Sequence, residues 1–302
     1  MRTKSLAIAL LLPALLAASC GRLFDDDEGS GPGSGGGSGP TGIDPAAIQH
    51  PTAADELVLR AASGGGFVPV EYHLRAVPGF SLFGDGRLVV EGPVPEIYPG
   101  PAMPNLQVSQ LSEEAVQAIL EEARSAGLFG EDASYDYPCV TDLPTTTFTL
   151  VAEGATHTIS AYALGFENEM DPGSCGDVDA EARAALLAFW EKLGNLRNWL
   201  PEGSVGDEAE LTPAEMRVYV LEYRGDPALE QQPVEWPLEG SLARFGEADP
   251  NLADARCGVV AGADLETLLP LARSSNQLTP WTNGSREFAL VFRPLLPDEH
   301  GC

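Results

Sequence analysis

The 302-residue chain carries 45 acidic residues against 17 basic ones, a formal net charge of −28 with its four histidines neutral. That balance excludes phosphate-backbone binding, because nucleic-acid affinity rests on Lys and Arg neutralising phosphates. It also argues against an electrostatic role at an anionic membrane, and the acidity is read as a solubility feature.

At the N-terminus, Arg2 and Lys4 precede an apolar run from Leu6 to Ala18 that only Pro13 interrupts. Spanning the hydrocarbon core takes about 20 apolar residues, so this shorter run reads as a secretory signal peptide over residues 1–19. Leu16-Ala17-Ala18-Ser19-Cys20-Gly21 resembles the bacterial lipobox, although Ala17 stands where that motif usually has leucine. The resemblance implies that Cys20 is diacylated on sulfur and becomes the first residue of the mature protein. Ordinary signal cleavage without a lipid is the competing expectation. Without Arg2 and Lys4 the chain keeps 15 basic residues, Lys192 its only lysine, against 45 acidic ones, a net charge of −30. Residues 20–54 read as a disordered tether. Asp25-Asp26-Asp27-Glu28 and the Gly/Ser run from Gly29 to Gly39 cannot bury enough apolar surface to order themselves. Its 25 flexible residues from Gly21 to Pro45 have an end-to-end distance of roughly 25–30 Å, and its acidic block is repelled by anionic lipid.

From Asp55 the pattern alternates strands with helices. Glu56–Arg60 reads as a strand followed by the flexible Ser63-Gly64-Gly65-Gly66, and Glu71–Arg75 reads as a second strand carrying His73. Phe80–Phe83 and Arg87–Val90 flank Gly84-Asp85-Gly86, a hairpin signal. Pro93–Pro104 follows, with five prolines in twelve residues. It is expected as a stiff crossover whose Ile97, Tyr98 and Met103 are candidate partner contacts, since a pre-stiffened loop loses little entropy on binding. Leu111–Gly127 is the clearest helix: Ser112 caps it, Leu111 staples against Val116, and Val116, Ile119, Leu120 and Ala123 share a face. Thr145–Tyr162 reads as a hairpin turning at Glu153-Gly154, with His157 on its second strand. Val178–Leu193 reads as a helix capped by Asp177 and ended by Gly194.

The Gly84-Asp85-Gly86 hairpin, Leu111-Ser112-Glu113-Glu114, Gly127-Leu128-Phe129, Tyr135 and Thr141–Thr147 together resemble a functionally uncharacterised family of exported bacterial α+β domains. The match covers Glu56–Leu193, but the Cys-x-x-x-Cys pair many relatives carry is absent here. The resemblance implies a fold outline and an envelope location, with no catalytic residues.

Beyond a joint at residues 201–213, Met216–Tyr223 reads as a strand, Asp264–Ser274 as a helix with Pro270 inside it, and Arg286–Arg293 as a closing strand. The second helix echoes the first, since Leu120, Ala123, Arg124 and Ser125 align with Leu269, Ala272, Arg273 and Ser274, which raises an internal duplication. Four cysteines besides Cys20 imply two disulfides with three connectivities open. The joint leaves two on each side, favouring Cys139–Cys175 and Cys257–Cys302. Their long spacings disfavour zinc. Asp171–Asp179 is an acidic loop without the EF-hand spacing. His73 and His157 lack the Gly-x-Ser-x-Gly context that would pair either with Ser63 or Ser160 as a nucleophile. The four tryptophans read as core or joint residues.

The reading is therefore an α+β protein of two small domains, residues 55–200 and 214–302, each an antiparallel sheet with helices packed on one face. Its expected role is that of a non-catalytic protein-interaction lipoprotein, held to the membrane by its N-terminal lipid and facing away from the cytoplasm. An envelope protein is its expected partner, with no nucleic acid, metal or cofactor. The alternatives are an extracytoplasmic hydrolase with a site between the domains, and a protease-inhibitor-like binder using Pro93–Pro104.

Overall fold

Hairpin turns dictate most of the first sheet. The computed structural model describes residues 47–166 and 178–302. Strand β1 is Leu57–Gly65, and β2 (Phe80–Phe83) turns through Gly84-Asp85-Gly86 into β3 (Arg87–Glu91). Gly86 has φ +81°, and a Cβ there would lie 2.7 Å from the Leu111 carbonyl oxygen, so only glycine fits this turn. Strand β4 (Leu106–Gln110) pairs with β3, helix α1 is Val70–Arg75, and helix α2 is Glu113–Ser125. After β5 (Ala133–Tyr135), the strands β6 (Pro144–Ala152) and β7 (Ala155–Tyr162) form the expected second hairpin. Glu153 and Gly154, at φ +53° and +74°, make its two-residue turn. Helix α3 is Ala180–Leu193 and β8 is Ala209–Glu210. The sheet order is β5-β7-β6-β1-β2-β3-β4-β8, so β8, within the expected joint, extends the edge at β4.

Helices α2 and α3 cover one face. Ser112 Oγ accepts from the Ala115 amide at 3.3 Å, and Val116, Ile119, Leu120 and Ala123 are buried as the periodicity predicts. They meet Phe80, Leu82, Phe148 and Leu150 from the sheet and Leu186 and Phe189 from α3. The cap of α3 differs from expectation: Asp179, two residues nearer the helix than Asp177, accepts from the Ala182 amide at 3.0 Å. Val178 is thereby left before the helix, packed beside Tyr137 and Ala163.

In the second sheet, β9 (Glu215–Glu222) is central, flanked by β12 (Arg256–Ala261) and β14 (Arg286–Pro294). Three short strands, β10 (Val234–Glu235), β11 (Glu247–Ala248) and β13 (Trp281–Asn283), complete the order β10-β13-β14-β9-β12-β11. Helix α4 (Gly262–Ser274) contains Pro270 and packs Leu265, Leu268, Leu269 and Ala272 onto Met216, Val218 and Phe292. Trp236, Trp281 and Phe292 stack edge to face through this core at 6.3 and 5.3 Å. Trp190 and Trp199 sit half-buried against the first core.

Three expectations need correction. Residues 71–75 form helix α1, not a strand. The i, i+4 spacing sets Val70 and Leu74 on one side, and Leu74 packs on Tyr219, Cys257 and Val291, the face of the second sheet opposite α4. Edge strands β5 and β10 run parallel to β7 and β13, departing from fully antiparallel sheets. Neither is joined to its neighbour by a tight turn, which is what enforces antiparallel pairing. Ser63–Gly65, expected as flexible, continues β1 against Pro144–Thr146.

The two sheets do not repeat one topology. In the first, the earlier strand of the hairpin (β6) lies against the central β1; in the second, the later strand (β14) lies against β9.

Residues 45–302 cluster as one compact unit, and the tail after β14 shows why. Leu296 enters an apolar cluster with Phe83, Val89 and Leu106 on the first sheet's second face. Arg60 of β1 pairs with Asp298 at 2.7 Å. Arg293 donates to the Ala76 carbonyl at 3.1 Å and is bidentate to Glu299. Cys302 is disulfide-bonded to Cys257, as expected. Cys139 is also disulfide-bonded; its expected partner Cys175 lies outside the described residues, as do Cys20 and the acidic loop through Asp177.

Candidate partner-binding groove

The proline-rich connection is fastened at both ends and projects between them: the Gly92 amide donates to the Asn105 carbonyl at 2.7 Å and Asn105 Nδ2 to the Pro93 carbonyl at 2.8 Å. Gln277 donates its amide to the Gly100 carbonyl at 2.9 Å, and the Ala102 amide donates to the Ser275 carbonyl at 3.1 Å. Ala102 is buried and Met103 half-buried against the second core. Of the three candidate contacts, Ile97 and Tyr98 therefore stand in solvent, 63% and 66% exposed, with Val94 near them in sequence, whereas Met103 is turned inward.

Helix α1 supplies the opposite wall. It buries none of its six residues, and Val68, Val70 and Tyr72 lie exposed beside Phe67, the most exposed large apolar side chain at 89%. Its short length follows from Pro69, which starts it, and from Ala76, whose extended backbone ends it. Arg75 lies over the Tyr72 ring, 5.9 Å from its centroid.

Between these walls lies a groove of about 690 Å³, floored by Leu221, Ala289 and Val291 of the second sheet and closed by the turns around Tyr223–Asp226 and Leu252–Asp254. Its volume falls within the roughly 300–1,000 Å³ usual for ligand pockets. Tyr72, Tyr98 and Tyr223 all face it. Burial, aided by the nearby Glu287 charge, raises the Tyr223 pKa above its ordinary value, so the phenol stays neutral at physiological pH. Acidic groups outnumber basic ones: Glu71, Glu222, Asp226 and Asp254 against Arg75 and Arg224. Arg224 approaches Glu222 at 3.6 Å, while Arg75 lies in the field of Glu91. Asp226 and Asp254 are set by turns: Asp226 accepts from the Ala228 amide, and Asp254 holds φ +64°.

Tyr98 was legible from sequence as a candidate contact, but Tyr72, Tyr223, Asp226 and Asp254 were not. They come from segments far apart in the chain, and the only local signal was the Arg224-Gly225-Asp226-Pro227 turn ending a strand.

Elsewhere, the chemistry-bearing residues stay apart. His73 is exposed on α1, whereas His157 lies on β7 and donates from Nδ1 to the Gly130 carbonyl at 2.8 Å. The Ser63 hydroxyl bonds to Thr146, not to a histidine. Among the described residues, no three His, Cys, Asp or Glu side chains gather as a metal-holding group, and no helix is long and apolar enough to cross a membrane. A second hollow of about 630 Å³ lies beside Trp190, Glu91 and Arg197. Burial raises the Glu91 pKa there, with Arg75 opposing. No family model matches the chain, and comparison with curated proteins and with solved structures finds no match.

Proposed function

We propose that this chain is an exported, lipid-anchored protein-interaction module of the bacterial envelope, and that the groove between α1 and the proline-rich connection is its contact surface. The observation that carries the reading is the exposure of Val70 and Tyr72 on one wall and of Tyr98 on the other, with exposed Phe67, Val68, Val94 and Ile97 close to them in sequence. Apolar side chains grouped in this way around a concavity mark interaction sites. The leader, the acceptor position at Cys20 and the Cys257–Cys302 bond support an oxidising, extracytoplasmic location.

Two measurements test it. Intact-mass spectra of the protein from native cells should give a chain beginning at an acylated Cys20; an unprocessed N-terminus overturns the anchoring. A photoreactive side chain at position 67 or 98 should give a discrete crosslinked envelope protein that the same group at exposed Glu181 does not give. Equal crosslinking from all three positions overturns the contact surface.

A further inference from the structure

Resting on that reading, we infer that the groove takes a cationic, partly apolar peptide segment of its partner, with Arg or Lys side chains lying against Tyr98 and Tyr223 and facing Glu71, Asp226 and Asp254. Charge supplies the first argument. Of the four acids at the groove, only Glu222 has a lining arginine in ion-pair range; Glu71, Asp226 and Asp254 have no salt-bridge partner among the described residues. An arginine or lysine entering from a partner would meet this excess, on a molecule whose net charge is −28. An acidic segment would meet repulsion at both scales.

The aromatic content supplies the second. Tyr98 and Tyr223 at the hollow can take a cation as Tyr72 already takes Arg75 at 5.9 Å, and such contacts are worth about 0.5–2 kcal/mol according to desolvation. A floor of Leu221, Ala289 and Val291 adds an apolar seat for the aliphatic stems or for intervening residues. Finally, exposed Phe67 and Val68 precede the groove-lining Pro69 and Val70 in the chain, and exposed Val94 and Ile97 precede the groove-lining Tyr98. These flanking residues suit a polypeptide segment better than a compact organic cation.

The test uses the full acylated chain in detergent and a fluorescent capped peptide of alternating arginine and leucine, followed by anisotropy. Binding should weaken at least about tenfold when citrulline replaces arginine, and should fall steeply as salt rises. The triple variant E71Q/D226N/D254N should weaken it by a similar factor, and Y98A by about fivefold. Glutamine and asparagine keep the shape, and Asn at 254 tolerates the positive φ. The control triple E114Q/E131Q/E181Q removes the same charge from exposed positions away from the groove, and should leave affinity within about twofold. Equal weakening by both triples means diffuse charge attraction and overturns the site. A glutamate–leucine peptide that binds as well as the arginine one overturns the charge preference. If no charged peptide binds while position 98 still crosslinks a partner, the peptide inference falls and the interaction reading stands. Loss of both brings down the two together.

Discussion

Glu299 is the residue on which the tail's fastening most depends. Burial would raise its pKa, but hydrogen bonds from Arg293 and from the Leu296 amide, with the charges of Arg293 and Arg60, outweigh it and hold the carboxyl below its usual value. A carboxylate depressed in the folded state stabilises the fold above its unfolded pKa, and that contribution is lost as pH falls through the folded value. The Arg293 side chain is only 9% exposed, so removing its partner strands a largely buried guanidinium. Glu299→Gln should cost about 3 kcal/mol at neutral pH, read from urea unfolding. The difference from the native chain should shrink as pH falls from the ordinary carboxylate range through the depressed folded value, below which both carry a neutral group. A constant difference across that range would mean that the charge is irrelevant. Glu91 has the opposite sign: its raised pKa makes the folded state take up a proton between the ordinary and raised values, so burying its charge costs stability above that window.

Helix α3 illustrates how far local signals reach. Its length and its Gly194 end were readable from periodicity and from glycine, yet the cap was misplaced by two residues. Asp177 and Asp179 are equally good caps chemically, and the choice fell to the packing of Val178 beside Tyr137. Asp179→Ala should lower stability by about 1 kcal/mol, measured as a shift in the thermal midpoint; no shift would mean that another group caps the helix. The hairpins and α2 were legible because turn glycines, an N-cap and a 3.6-residue stripe are all short-range. Helix α1 was not, because polar and apolar residues alternating over five positions match a strand equally well. What settles it is Leu74 docking on a sheet that begins 140 residues later. The groove was hidden for the same reason: no stretch of sequence contains more than one of its walls.

On the scale of the whole molecule, the two sheets are tied by a disulfide-anchored tail. The Cys257–Cys302 bond closes a 45-residue separation, and chain-entropy arguments give it up to about 4 kcal/mol. Cys302→Ser should therefore lower the unfolding free energy by a few kcal/mol and raise hydrogen exchange at Leu296 and its first-sheet neighbours. Stability unchanged from the native chain would mean that Leu296, Asp298 and Glu299 hold the tail unaided. The α+β architecture with two sheets follows the sequence-based expectation. The contributions that cross between halves (β8 at the first sheet's edge, Ala102 in the second core, Leu296 in the first) had no local signature, since each is one or two residues long.

The tail also sets a timetable. Translation delivers residues 295–302 after every strand they brace, so Phe83, Val89 and Leu106 must wait with one apolar face bare. Until Leu296 arrives, the nascent polypeptide offers that strip to any sticky neighbour or chaperone. A ribosome stalled before codon 295 would thus leave a product with its sheets drawn but unlatched, which gives proteases a physical basis for telling it from the full-length chain.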